Sequence, residues 1–305
     1  EEEGLKVDED GFKVSMDEQK KRARENQNFS ANLSIDANAV FDSLSEDIKT
    51  EFTGYTATDC KAKIVAIAGE DALTDTLAEG QNGTIVTDVT TFYGTMGGQL
   101  GDKGTIVTKD GEFIVTDTIH LPESRIGHVG FVSKGSIKNG EEADLKVDQA
   151  NRLDTCKNHS ATHLLQKALK TVLGDHVEQK GSLVTPDRLR FDFSHDKAMT
   201  AEEIAEAEKI VNSQISAALN VITEEMSIEE SAKTGAMALF GEKYSGTVRV
   251  VSMGKGVSGN MEADYKEAFS VELCGGTHVS NTSQIRNIKI LSESGVAAGV
   301  RRIEA

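Results

Sequence analysis

Tryptophan is absent from the sequence, and aromatic residues together make up only 5% of it. That leaves little from which to build the row of exposed rings on which single-stranded bases stack. No apolar run approaches the ~18 residues of a membrane-spanning helix. The chain starts Glu1-Glu2-Glu3, with no basic patch ahead of an apolar stretch, so no secretory leader is expected. Cysteine is sparse and odd in number: Cys60, Cys156 and Cys274. Three cysteines make no disulfide framework and point to a reducing, cytoplasmic setting. An initiator Met is also missing, and the expectation is a segment of a longer protein.

What is present is acidic and globular. The 305 residues carry 33 basic and 50 acidic groups, net −17, and 38% are hydrophobic. The length suits two domains, and the apolar content suits well-filled cores. The charge at first argues against a partner with a phosphate backbone. It is uneven, however: −6 over residues 1–50, −8 over 51–150 and only −3 over 151–305. Lys180, Arg188, Arg190, Lys243, Arg301 and Arg302 are candidates for a local basic rim in the last stretch. The expectation is weak, salt-sensitive binding of nucleic acid.

Texture divides the chain into three. Residues 1–50 read as a helical N-terminal segment. Within it, residues 15–28 run from acidic to basic, which suits a helix dipole. Residues 38–48 place Phe41, Leu44 and Ile48 on one face. Residues 51–148 read as a small β-barrel. Short β-branched runs recur at 63–68, 84–89, 104–107, 112–118, 128–133 and 144–147, with Gly- and Asp-rich turns between them. Residues 149–305 read as a mixed α+β domain. A long helix over 151–173 is stopped by Gly174. Another begins at Thr200 with a capping box to Glu203 and runs to about 219. Strands are expected at 177–184, 188–193, 221–227, 247–252, 268–273 and 285–292. The fold class is α+β: a small barrel followed by a mixed domain.

The strongest chemical signal is His159-Ser160-Ala161-Thr162-His163. Histidines at i and i+4 share one helix face, so their ring nitrogens can converge on one metal ion. A second pair follows in Cys274-Gly275-Gly276-Thr277-His278, where two glycines allow a tight turn. Three imidazoles and a thiolate make a complete donor set for zinc. A closed set of four is more often structural than catalytic. The HxxxH pair lacks the Glu of HExxH, which excludes the usual metalloprotease arrangement.

Residues 158–165 (NHSATHLL) and 273–279 (LCGGTHV) resemble the two zinc motifs of the alanyl-tRNA synthetase family. Residues 189–195 (LRFDFSH), 235–244 (GAMALFGEKY) and 299–305 (GVRRIEA) are also similar to it. So are residues 7–12 (VDEDGF) and the linker-barrel hairpin at 91–102 (TFYGTMGGQLGD). The chain departs from the family at Thr91, where Pro is usual, and near Thr95, where an acidic residue is usual. A usual Asp-Ile-Gly step reads Gln284-Ile285-Arg286. The triplet Gly97-Gly98-Gln99 is similar to the hydrolytic tip of peptide release factors, although a hairpin turn already accounts for its glycines.

The resemblance implies a zinc-dependent editing domain over residues 149–305. It would hydrolyse Ser-tRNA(Ala) and Gly-tRNA(Ala), with His159, His163, Cys274 and His278 as zinc ligands. Gln179 either stands at a family position near the amino-acid pocket or is an exposed strand glutamine. Thr162 either lines that pocket or bonds back to the helix carbonyl at i−4. Asp192 either orients a zinc histidine or is a surface strand carboxylate. Arg301 and Arg302 either contact phosphate or anchor the C-terminal strand, and Cys156 is a small buried residue. The expected partners are the tRNA(Ala) acceptor end and the remaining domains of the synthetase, with no DNA and no membrane. No run resembles the ATP-binding motifs of a class II synthetase, so ATP and Mg2+ would serve only an aminoacylation domain outside this chain. The alternatives are a structural zinc module that docks tRNA without hydrolysis and a stand-alone trans-editing protein.

Overall fold

The computed structural model describes residues 40–41, 44–70, 72–237 and 246–305. The expected helix over 15–28, the 7–12 motif and most of the 235–244 motif lie outside them. Nine strands make the first part: β1 (Glu51–Phe52), β2 (Asp59–Ala68), β3 (Thr76–Ala78), β4 (Asn82–Thr87), β5 (Val89–Thr90), β6 (Gly104–Val107), β7 (Gly111–Leu121), β8 (Arg125–Lys138) and β9 (Glu142–Val147). Six of them close a barrel in the order β8-β4-β2-β9-β6-β7, because β7 also pairs with β8. Every pair around this ring is antiparallel, and β3 extends one end of β8. The two-residue period shows cleanly in β9, where Ala143, Leu145 and Val147 point inward and the intervening residues face solvent. These three join Ile64, Ile85, Ile106 and Phe113 in one apolar filling.

The second part begins with α1 (Gln149–Leu173). Asp148 caps it by accepting the N–H groups of Ala150 and Asn151, and Gly174, at φ +112°, ends it. There follow β10 (Gln179–Val184), β11 (Leu189–Ser194), α2 (Ala201–Ser216), β12 (Val221–Ser227), α3 (Ile228–Lys233), β13 (Thr247–Met253), α4 (Met261–Glu267), β14 (Ser270–Leu273), β15 (Ser292–Ala297) and β16 (Val300–Glu304). They form two antiparallel sheets, β10-β11-β16-β15 and β12-β13-β14. Leu164, Leu165, Ala168 and Leu169 of α1 pack with Phe191, Phe193, Val211, Ile215 and Ile303 in the main core. The capping box of Thr200 and Glu203 is present on α2.

Two expected elements differ. The helix over 38–48 does not run through: Val40 and Phe41 are helical, but the chain turns at Glu46 and Asp47. Buried Arg125 explains why. Its guanidinium donates to the carbonyls of Phe41, Ser45 and Ile48, which fixes them outside an i→i−4 ladder. The expected strand over 285–292 is instead the end of a 3-10 turn followed by an irregular stretch that enters β15 only at Ser292. Here α2 side chains replace a neighbouring strand. Asn212 bonds both the N–H and the carbonyl of Ile288, and Glu208 accepts the Ile290 N–H. Ile288 and Ile290 are buried, which gave the stretch its strand-like pattern. Arg286 stands at φ +74°, ψ −70°, a strained γ-turn at the position where the family usually has glycine.

The two parts meet over a buried ion pair. Arg152 of α1 donates to both carboxylate oxygens of Asp102, which follows β5 and its hairpin, and to the carbonyls of Gly54 and Thr91 at 2.7 Å. Both side chains are buried.

Candidate metal centre

His159 and His163 lie one turn apart on α1, with ring centroids 5.3 Å apart. The turn after β14 brings Cys274 and His278 against them. His278 is 4.4 Å from the His159 ring and 4.6 Å from the His163 ring, centroid to centroid. Cys274 Sγ sits 3.5 Å from His159 Nε2 and 3.3 Å from His278 Nε2. One ligand atom from each of the four residues falls within 4.8 Å of every other. Such a cluster can hold a metal ion.

The electrostatics fit that use. Burial pushes His159 down to about 4, assisted by the Arg249 charge. Burial and the neighbouring imidazoles push His163 and His278 well below the ordinary histidine range. All three are therefore neutral at pH 7, the form that donates a lone pair to a metal. His163 Nδ1 is buried with no hydrogen-bond partner among the described residues. An unpaired buried nitrogen is costly unless something binds it.

The surrounding groups hold the donors in place. Ser160 Oγ accepts the Val279 N–H and lies 3.1 Å from His278 Nδ1. Glu272 Oε2 is 3.6 Å from His163 Nε2, and burial raises its carboxyl to about 8. Tyr55, from the barrel side, donates to the Gly275 carbonyl at 2.6 Å. Arg249 stacks 3.4 Å over the Tyr55 ring and donates to the Gly276 carbonyl. Ser160, Glu272, Tyr55 and Arg249 were not singled out from sequence. Ser160 and Glu272 lie inside or beside the two motifs, so adjacency was an available signal. Tyr55 and Arg249 carried none.

A cleft of about 60 Å³ opens onto the cluster, several times the ~10–15 Å³ one water needs. Gln179, Thr162, Glu272, Cys274 and both α1 histidines line it, with Tyr93 and Met96 from the barrel. Thr162 combines both of its readings: it lines the cleft, and its hydroxyl donates to the Asn158 carbonyl at 2.8 Å. Asp192 is placed elsewhere. Arg302 grips its carboxylate through two bonds of 2.7 and 2.8 Å, so it ties β16 to β11 rather than steadying a histidine of the cluster. Arg301 is likewise paired with Glu293. Cys156 is buried, with Sγ 3.2 Å from Thr277 Oγ1.

The proposed basic rim is largely neutralised. Lys180, Arg188, Arg190, Arg301 and Arg302 each lie within 4.0 Å of a carboxylate, and Lys243 is outside the described residues. The Gly97-Gly98-Gln99 triplet does not present its glutamine at an exposed tip: Gly97 is exposed, but Gln99 is 0% exposed. No helix among the described residues is long and apolar enough to cross a membrane.

Known proteins resemble this chain along its whole length. Residues 1–151 match the family model described as tRNA synthetases class II (A). Residues 248–304 match the threonyl and alanyl tRNA synthetase second additional domain. The chain is 52% identical over its full length to alanine–tRNA ligase 1 of Lachnoclostridium phytofermentans, covering 33% of that protein. It is 46% identical to the alanine–tRNA ligase of Alkaliphilus oremlandii, again over the whole chain and 33% of the relative. Over 99% of the chain it is 47% identical to the Rhizobium meliloti alanine–tRNA ligase, covering 34% of it.

Proposed function

The chain belongs to the alanine–tRNA ligase family and spans about a third of its curated relatives' length, and from that premise we propose that it is the proofreading part of such an enzyme. It hydrolyses the ester of Ser-tRNA(Ala) and, less efficiently, Gly-tRNA(Ala). The need is physical. A pocket for alanine cannot exclude glycine, which only lacks a methyl, and rejects an added hydroxyl weakly, so a second, hydrolytic site is required. Ligation of alanine with ATP and Mg2+ belongs to the rest of the polypeptide.

The observation that carries this reading is the convergence of three imidazoles and one thiolate, of which His159, His163 and Cys274 line a cleft together with Gln179 and Thr162. Zinc held by His159, His163, Cys274 and His278 supplies Lewis acidity toward an ester carbonyl or a water. Gln179 offers both a donor and an acceptor, the pair a serine hydroxyl needs. Thr162 donates its proton to Asn158, so its oxygen faces the cleft as an acceptor. Tyr93 and Met96 line the barrel side of the cleft. With Lys180, Arg188, Arg190, Arg301 and Arg302 each beside a carboxylate, this segment binds the tRNA(Ala) acceptor end weakly, and most of the affinity comes from the rest of a cytoplasmic ligase.

The test is elemental analysis alongside deacylation of Ser-tRNA(Ala) and Ala-tRNA(Ala). One zinc per chain and faster loss of serine support the reading. Zinc-loaded protein that hydrolyses no faster than buffer leaves a structural module that docks tRNA, which a closed set of four donors would also suit.

A further inference from the structure

The barrel sends one side chain into the interior of the other half. Gln99 ends the loop that closes between the Met96 and Gln99 backbones. That loop docks on β10: the Val184 N–H donates to the Gly98 carbonyl at 2.7 Å, and the Leu100 N–H to the Val184 carbonyl. Gly98 is at φ +85°, and a Cβ there would collide with Ser182, so glycine is required.

The orientation of the Gln99 amide is fixed by its partners. Its Oε1 accepts the Thr277 backbone N–H at 2.9 Å, and its Nε2 donates to Thr277 Oγ1 at 2.8 Å. A backbone N–H only donates, so the atom facing it is oxygen. That same oxygen lies 2.8 Å from His159 Nδ1. A carbonyl oxygen only accepts, so Nδ1 carries the hydrogen. In a neutral imidazole the other nitrogen then keeps its lone pair. That nitrogen, Nε2, is the one 3.5 Å from Cys274 Sγ. Gly276 makes the contact possible, because a Cβ there would strike the His159 ring and come within 2.9 Å of Gln99 Oε1.

We propose that Gln99 is a positioning residue for the metal centre, holding His159 as the Nδ1–H tautomer with Nε2 turned toward Cys274. The barrel is thereby part of the metal centre and not only a spacer beside it. This rests on the reading of His159, His163, Cys274 and His278 as zinc ligands.

Two measurements on the 305-residue chain test it. The first needs no metal: nitrogen-15 NMR of imidazoles in chelator-treated protein, with His159 assigned by comparison with His159→Gln. The expected tautomer of His159 is Nδ1–H, and an Nε2–H signal would overturn the proposal. The second is zinc affinity by competition with a chromophoric chelator. Gln99→Met fills the space without accepting a hydrogen bond and is expected to weaken zinc about 10–100-fold. Gln99→Glu can still accept from both His159 and Thr277, so its affinity should lie nearer wild type than that of Gln99→Met. Equal affinity of wild type and Gln99→Met would contradict the proposal, because a residue that merely packs would tolerate methionine. Failure of the zinc reading looks different: wild type binds no zinc, or Cys274→Ala binds as tightly. Even then, and even if a Gln99 variant does not fold, the wild-type tautomer still decides the role of Gln99.

Discussion

Two buried histidines separate the two halves of this molecule. His128 sits in the barrel wall at 0% exposure, and both of its nitrogens are bonded: Nδ1 to the Ile85 carbonyl at 2.9 Å and Nε2 to Thr90 Oγ1 at 2.7 Å. His163 is also buried, yet its Nδ1 has no partner among the described residues, and one of its ring nitrogens lies within 4.8 Å of ligand atoms of His159, Cys274 and His278. The barrel therefore uses its imidazole as a satisfied polar strut. The other half assembles imidazoles whose lone pairs are left for a ligand. A buried histidine reads as structure or as chemistry according to where its hydrogen bonds end.

The contrast can be broken experimentally, and the largest effect should come from the cluster. Cys274→Ala is expected to lose zinc and deacylation together, because a structural-type site is worth on the order of 10 kcal/mol. Unchanged zinc stoichiometry would refute the ligand assignment. Next comes the joint between the halves. Arg152→Met leaves Asp102 buried without its cation and should cost about 3–5 kcal/mol in urea unfolding. The double change Arg152→Met with Asp102→Leu should recover much of that, and a double variant as weak as the single would contradict this account.

The barrel histidine predicts an acid effect of the next size. Burial lowers His128 to about 4, against the ~6.5 of an unfolded histidine. Between these values the unfolded chain binds more protons. Stability is thus fully present above pH 6.5 and is lost as pH falls toward 4, by roughly 3 kcal/mol for this residue. His128→Gln should remove that part of the slope in unfolding midpoints measured from pH 7 to 4.5. An unchanged slope would deny the barrel imidazole its role. Smaller still, Gln179→Ala should slow removal of serine about fivefold, the worth of one hydrogen bond near 1 kcal/mol, and leave the glycine ester nearly unaffected. Arg286→Gly should raise stability by about 1 kcal/mol by relieving the positive φ, readable as a small rise in midpoint.

Legibility in the sequence followed the range of the interactions. The capping box at Thr200, the stop at Gly174 and the alternation of β9 are local, and each left a readable pattern. The two metal motifs were legible because spacing of four on a helix, or across two glycines, already brings side chains together. Where distant side chains took over the backbone, the pattern misled. Arg125 capped carbonyls 77 to 84 residues upstream, and Glu208 and Asn212 replaced a strand partner for Ile288 and Ile290. Asp192 looked like support for a histidine because it stands in a motif, but its partner Arg302 is 110 residues away. Tyr55 and Gln99 reach the metal loop only through the docking of the barrel on the second part, and Arg249 through the pairing of β13 with β14, neither of which a local pattern encodes.

The central claim is that the four-residue cluster serves an aminoacyl ester hydrolase. It is tested most directly by the rate at which the zinc-loaded chain deacylates Ser-tRNA(Ala) relative to Ala-tRNA(Ala). A rate well above buffer is expected for serine and little for alanine, with loss of the difference in Cys274→Ala. Equal rates for the two esters, or a serine rate indistinguishable from buffer at one zinc per chain, would contradict it.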